Sequence, residues 1–468
     1  MTPGLLLGWS CSFALGLAIW FALAGWPRRG SEWLTAAGYA VLLGFLATGL
    51  LVGLKRETVG ASLFTAVLPL LLTATVLSAG IAFWRQRGRL PVAVAPLPTS
   101  PLPRWLWLLL IPIALRFAYV LDEAVLRPVF VWDAWNAWSL KAKTWFELGQ
   151  VPFVDAPAWW QRSDTAVHTA LAWRYPELLS RVELWFAAAA GAWNEGAVAA
   201  AWPLLWLALI AGCAGQWRAL GVTPARCLVF AYLLASLPLL SVHAGLAGYA
   251  DLWVAAALSF AVLSWLRWLQ TRETGQLALA VVCAALLSLL KFEGAVWALW
   301  LAGLALFVAL PRRLRWLGLA SAALLLLAAV LLSLLLQLPW LAFVRDTVSG
   351  LTASNSETAR LGAALAFVNG LFSQYNWHLL WPLLAGCLIW QRERLWRERE
   401  TGLLAVLIGG GLFALFALFV FTPAAKWAAS QTAASRLMLH WAPLALSLVA
   451  LLLRDRPEPP RIPDASPP

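Results

Sequence analysis

The chain has 468 residues, 62% hydrophobic and only 12% charged, with a mean hydropathy of +0.77. A soluble domain carries roughly 25% charged residues, and no soluble core of this length hides so much apolar surface. An ordinary soluble protein is therefore excluded, whereas a bilayer accepts such surface because apolar side chains there face lipid. The formal charge of +12 comes as short basic clusters between apolar runs, which excludes a nucleic-acid groove.

A membrane span needs roughly 20 apolar residues. In chain order the candidate spans are 4–26, 34–54, 59–84, 105–121, 196–215, 227–243, 247–268, 277–291, 294–310, 316–343, 376–390, 402–421 and 437–453. The expected fold is all-α: a polytopic membrane protein with about 13 transmembrane helices. The first span has no basic stretch ahead of it and is followed by Arg28 and Arg29. It therefore reads as a retained helix with the N-terminus outside, not as a cleavable signal. Alternation then puts 27–33, 85–104, 216–226, 267–276, 311–315, 391–400 and the tail from Arg454 inside. Those segments hold 20 of the 34 Lys and Arg but only 8 of the 22 Asp and Glu, so the whole net charge lies on one side, as the positive-inside rule requires.

The organisation expected from this pattern has four parts. Residues 1–84 form three plain hydrophobic helices, and 85–104 a Pro-rich basic linker. Residues 105–453 hold the polar punctuation, and 454–468 form a Pro-rich disordered tail. The 32 tryptophans read as interface anchors or packing. Cys11, Cys213, Cys227, Cys283 and Cys387 all fall in or beside apolar runs, which argues against a disulfide framework.

Two outer segments are large, 122–195 and 344–375. In the first, Trp135, Trp138, Lys141/Ala142 and Trp145 recur at three- and four-residue steps. That spacing predicts an amphipathic helix lying flat on the outer leaflet, with Asp133 at its N-cap. Tyr175-Pro176 breaks the chain before a second interfacial helix over 178–193. Other polar residues sit at outer span ends. His243 and Asp251 flank Gly248-Tyr249, Lys291 and Glu293 sit in a break between the eighth and ninth spans, and Arg436 and His440 begin the last. Charges near a bilayer are costly and mark a site or a mutual pair. Their common sidedness predicts one outward-facing cavity shared by Asp133, Tyr175, Asp251, Lys291, Glu293 and Arg436. Asp133 also reads as a helix cap, Lys291 with Glu293 as a local pair, and Arg436 as a snorkelling cation.

Here the chain resembles the GT-C superfamily of membrane glycosyltransferases, which use polyprenyl-phosphate-linked sugars; protein O-mannosyltransferases and aminoarabinose transferases belong to it. Trp132-Asp133 matches the acidic start of the first external loop. Trp145-Phe-Glu-Leu-Gly149-Gln-Val-Pro152 matches the end of its interfacial helix. Tyr175-Pro176-Glu177-Leu178 stands at the Pro-containing turn, and Lys291-Phe-Glu-Gly294 resembles a Lys-containing turn of that family. The resemblance covers roughly 105–453. The chain departs from the pattern at Ala134, where many relatives have Glu, and at Glu177, where the turn has a second proline. Three helices precede the loop-bearing part, where the closest relatives have one.

The resemblance implies an inverting glycosyltransferase of the bacterial inner membrane with its site on the external face. Its donor is a polyprenyl-phosphate sugar and its acceptor a glycan, lipid or protein. Asp133 would be the catalytic base. Lys141, Lys143, Tyr175, Glu177, His243, Asp251, Lys291, Glu293, Arg436 and His440 would line the substrate site, with cations stabilising the leaving phosphate. No cofactor is certain. A divalent metal is compatible with Asp133, a hard oxygen ligand, although no ligand cluster has metal-site spacing. The alternative is a transporter or flippase of a lipid-linked sugar, against which the chain lacks a visible internal repeat. A third reading, a non-catalytic assembly partner, rests on Ala134.

Overall fold

The computed structural model describes residues 2–87, 102–161, 167–311, 313–315, 317 and 357–455. Nearly all of the expected span 316–343, most of the 85–104 linker, the first part of the outer segment 344–375 and the tail beyond Asp455 lie outside the described residues.

Helix α1 (Pro3–Ala24) starts where the Thr2 hydroxyl accepts the Leu5 N–H and Pro3 takes the first helical position. A missing proline N–H costs nothing there. Helices α2 (Gly30–Val52) and α3 (Ser62–Gln86) follow. The first two approach closely through small residues: Gly16 lies against the Ala40 carbonyl and Gly44 against the Ser12 carbonyl, with no room for a Cβ. A short 3₁₀ turn, Arg104–Leu109, leads into α4 (Leu110–Leu126).

The outer segment then forms α5 (Trp132–Asn136), α6 (Trp138–Leu148), α7 (Ala156–Trp160) and α8 (Leu178–Ala190). A two-residue parallel pair joins β1 (Phe153–Val154) to β2 (His168–Thr169). Next come α9 (Glu195–Ala199), α10 (Ala201–Ala219), α11 (Pro224–Ser236), α12 (Pro238–Gly245), α13 (Asp251–Thr271), α14 (Thr274–Leu290) and α15 (Phe292–Ala309). Beyond the undescribed stretch lie α16 (Glu357–Phe372), α17 (Leu380–Trp390), α18 (Arg392–Arg397), α19 (Arg399–Phe421), α20 (Ala425–Ala429), α21 (Ala434–Leu439) and α22 (Ala442–Leu452).

Seven of these helices are long and apolar enough to cross a membrane, or eight if the α11–α12 pair, bent by 61°, counts as one span. These mark a membrane-embedded helical protein. The expected thirteen spans are not reached among the described residues. Helices α4 and α14 have 17 residues each, and α17 and α22 have 11. Eleven residues cover only about 16 Å of a hydrocarbon layer about 30 Å thick. Of these, α17 and α22 are shorter than the expected spans 376–390 and 437–453, and ahead of α22 the helix breaks at His440, which meets Asp251.

Helix α13 is the centre of the bundle, with 94% of its apolar window buried, against 17% for α3 and α15. A helix that is apolar all round belongs in such a centre. The first helices are tied into this body. The Tyr39 hydroxyl of α2 bonds the Phe260 carbonyl at 2.8 Å and the Ser264 hydroxyl at 2.7 Å on α13, and Gln216 of α10 donates to it at 2.8 Å. Arg267 reaches Glu32 at 2.9 Å. Tryptophan serves packing more than anchoring at many positions: Trp185, Trp202, Trp206, Trp217, Trp253 and Trp441 are fully buried. The five cysteines are free.

Candidate functional site

The expected helix over the aromatic stripe is broken. Ala137, at φ −141° and ψ −85°, separates α5 from α6. Trp138, Lys141, Ala142 and Trp145 remain on one face, but that face packs inward against α8, and Trp135, on the other side of the break, is exposed. The helix therefore does not lie flat on lipid. Helix α8, expected to be interfacial, is almost wholly buried. Both outcomes follow from one cause: the apolar faces of α6 and α8 satisfy each other.

Asp133 is not an N-cap. Helix α5 begins at Trp132, its N-cap is Val131, and no side chain caps it. The Asp133 carboxylate instead meets the guanidinium of Arg436, 303 residues away, through both oxygens: Nη1 to Oδ1 at 3.3 Å, and Nη2 to Oδ2. Arg436 on α21 also binds Asp251, with Nε at 3.1 Å and Nη2 at 2.7 Å from Oδ2. Its guanidinium stacks 4.2 Å over the Tyr249 ring, so it is neither snorkelling nor single-partnered.

Asp251, at the start of α13, has no exposed surface and accepts four contacts. Two come from Arg436. Lys291 Nζ lies 2.8 Å and His440 Nε2 2.9 Å from Oδ1. The His440 tautomer is set by its other nitrogen. The Trp297 indole N–H, which can only donate, points at Nδ1 from 3.0 Å. Nδ1 is therefore the acceptor, Nε2 carries the proton, and His440 is neutral. His243 Nδ1 donates to the Leu239 carbonyl at 3.0 Å, and its Nε2 stands 3.9 Å from Asp251 Oδ2.

Lys291 is extended, at φ −158° and ψ 153°, between α14 and α15, and also pairs with Glu293 at 3.5 Å. The local pair expected there exists, and the longer-range bond to Asp251 is the shorter of the two. Gly248, at φ +105°, lets the turn before α13 lie against α5; a Cβ there would stand 2.6 Å from that of Ala134. Ala134 is fully buried. This gives a physical reason for alanine after Asp133: a Glu side chain has no room beneath that turn.

Asp133, Asp251, Lys291, Glu293, Arg436, His440 and His243 thus converge. Tyr175 lies alongside, its ring between Trp138 at 5.4 Å and Phe292 at 5.0 Å. Burial pushes the Tyr175 phenol above its ordinary range. Three expected site residues are placed otherwise. The Lys141 ammonium bonds the Trp173 and Tyr175 carbonyls at 2.8 and 2.9 Å, holding the loop that carries Tyr175. Burial lowers it to about 8. Lys143 is exposed, two residues round the helix from Lys141. Glu177 pairs with Arg181 at 2.6 Å.

The cluster is closed on one side and open on the other. Side-chain exposure is 0% for Asp251 and His440 and 4% for Lys291, but 16% for Asp133 and 20% for Arg436. The accessible edge of the cluster is the one formed by Asp133 and Arg436. Among the described residues no group of three or more His, Cys, Asp or Glu is arranged to hold a metal. The Arg436 guanidinium already bridges the two aspartates, so this donor set does not fit a metal cation. Sequence reasoning passed over Trp297 and Tyr249 as site residues. Trp297 stands four residues after Glu293, on the same face of α15, which was its one available signal. Comparison with family models, with curated proteins and with solved structures finds no match.

Proposed function

We propose that the protein is an inverting glycosyltransferase of GT-C type, taking its sugar from a polyprenyl-phosphate donor at the outer face of a bacterial inner membrane. The observation that carries this reading is the open edge of the cluster, where the Asp133 carboxylate and the Arg436 guanidinium stand side by side above the buried, charge-paired Asp251. Transfer needs both groups. A carboxylate takes the proton of the acceptor hydroxyl, and a cation meets the charge developing on the departing phosphate. In this reading the acceptor oxygen forms a bond to the anomeric carbon as the carbon–phosphate oxygen bond breaks. The proton goes to Asp133, and polyprenyl phosphate leaves against Arg436. Lys291 is buried and engaged by Asp251 and Glu293, so its role is to hold Asp251 charged rather than to touch the donor. The resembling motifs at Trp132-Asp133, Tyr175-Pro176 and Lys291–Gly294 add support.

Incubating the purified protein with a panel of polyprenyl-phosphate sugars and acceptors tests the proposal. Release of polyprenyl phosphate with a new glycosidic bond is expected. Movement of an intact donor across vesicles without cleavage moves the assignment to a transporter of the same ligand.

A further inference from the structure

The cluster cannot hold a phosphate in the arrangement seen. Asp133, Asp251 and Glu293 bring three negative charges, and Lys291 and Arg436 two positive ones; His440 is a neutral donor. Both cations are already matched by carboxylates, so an arriving anion meets no cation to spare. Geometry adds a second obstacle. The Arg436 fork has one edge facing Asp251, through Nε and Nη2, and one outward edge, through Nη1 and Nη2. Asp133 occupies that outward edge with both oxygens, and a phosphate recognises a guanidinium through the same paired N–H groups.

From this we infer, resting on the transferase reading, that donor and Asp133 exchange places on Arg436. The donor's phosphate takes the outward edge, and Asp133 moves off it. Only Asp133 is free to leave. Asp251 is buried and bound by four donor contacts from three side chains. Asp133 is partly exposed and sits on a five-residue helix between the Ala137 break and an extended approach at Val131. The exchange supplies two things the reaction needs. The phosphate gains a cation held rigidly from behind by Asp251. The Asp133 oxygens, otherwise engaged by two N–H donors, become available to accept the proton of a hydroxyl. The base is thus withheld until the donor is seated, and donor binds before acceptor. Atoms and charges balance without any co-reactant: one anion replaces another on the same guanidinium.

The inference predicts an unusual result, because removing a site carboxylate should tighten donor binding. Polyprenyl phosphate, the donor without its sugar, is titrated into the full-length protein in nanodiscs, with inorganic phosphate as a second probe. The proteins are wild type, Asp133→Asn and Arg436→Lys, each checked for an unchanged melting temperature. Asp133→Asn is expected to bind polyprenyl phosphate about tenfold more tightly than wild type, while losing turnover. Arg436→Lys keeps the charge but loses the fork, and is expected to bind at least tenfold more weakly. A similar gain for inorganic phosphate locates the competition in the phosphate itself. A gain for the lipid phosphate alone assigns it to a headgroup delivered by its tail. Wild-type binding that Asp133→Asn leaves unchanged or weakens overturns the exchange while leaving the transferase reading intact. Absence of polyprenyl phosphate binding in both proteins overturns the two together.

Discussion

Both ends of helix α22 gather cations, in opposite arrangements. Beyond its C-terminal end, Arg394 donates to the Leu452 carbonyl at 2.7 Å, Arg226 to Leu453 at 2.5 Å, and Arg454 to Leu220, at the end of α10, at 2.8 Å. These cations satisfy the last carbonyls of helices, where the helix dipole favours positive charge. Their carboxylate partners, Glu398, Glu400 and Asp455, are 25%, 16% and 51% exposed. Ahead of the N-terminal end, Arg436 and His440 join Lys291 on a carboxylate with no exposure, and none of their bonds given above goes to a backbone carbonyl. Arginines that terminate helices explain themselves. Cations gathered on a buried acid do not, because desolvating them costs several kcal/mol each unless every partner is in place. That contrast, more than the number of charges, separates the candidate site from the scaffold.

Asp251 bears the sharpest test. Asp251→Ala leaves the buried Lys291 with only the longer Glu293 contact and takes from Arg436 its inner partner, and the expected loss is about 3–5 kcal/mol, read as failure to recover a monodisperse protein after detergent extraction. Wild-type thermal stability in that variant would erase the distinction between the two ends of α22. Asp133→Asn is expected to leave folding intact, since the side chain is partly exposed and Arg436 keeps Asp251 as its partner, and to reduce transferase turnover about 100-fold or more. Full turnover in the Asn protein would remove Asp133 as the base.

Glu183 is a buried ionisable group of a third kind, with no ion-pair partner among the described residues. Burial pushes its carboxyl up to about 8, with the Ser139 hydroxyl opposing. The ordinary value is 4.5, so between pH 4.5 and about 8 the unfolded chain gives up this proton while the folded chain keeps it. The folded state then binds more protons, and stability falls as pH rises through that window, with a slope of up to about 1.4 kcal/mol per pH unit. Glu183→Gln is expected to flatten that slope in melting curves from pH 5 to 8, and a slope unchanged by the substitution would contradict the assignment. Arg394→Gln, at the other end of α22, is expected to cost only about 1 kcal/mol. It should leave turnover unaltered, and a large loss of activity there would give that end more than a capping role.

Much of the site was legible because charged residues in an apolar chain are rare enough to notice one by one. Asp133, Asp251, Lys291, Glu293, Arg436 and His440 could each be picked out at the end of an apolar run. Their roles could not be separated. Asp133 reads locally as a cap and Lys141 as a cation for the substrate phosphate. The first is tied to a guanidinium 303 residues away, and the second to carbonyls 32 and 34 residues on. The aromatic stripe gave the right face of α6 and the wrong neighbour, since periodicity marks which side is apolar without saying whether lipid or protein covers it.

Composition alone decided that this chain is a helical membrane protein, because only a bilayer can accommodate so much apolar surface with so little charge. It also decided which residues are costly enough to need a partner. The tertiary structure decided who the partners are. It turned the apolar stripes of α6 and α8 toward each other, shortened α22 to 11 residues, and pressed the Gly248 turn onto Ala134. It also brought one arginine between two aspartates from distant parts of the chain. Pairing of buried charges depends on where helices pack, and packing is set by the shapes of whole faces, which no local pattern encodes.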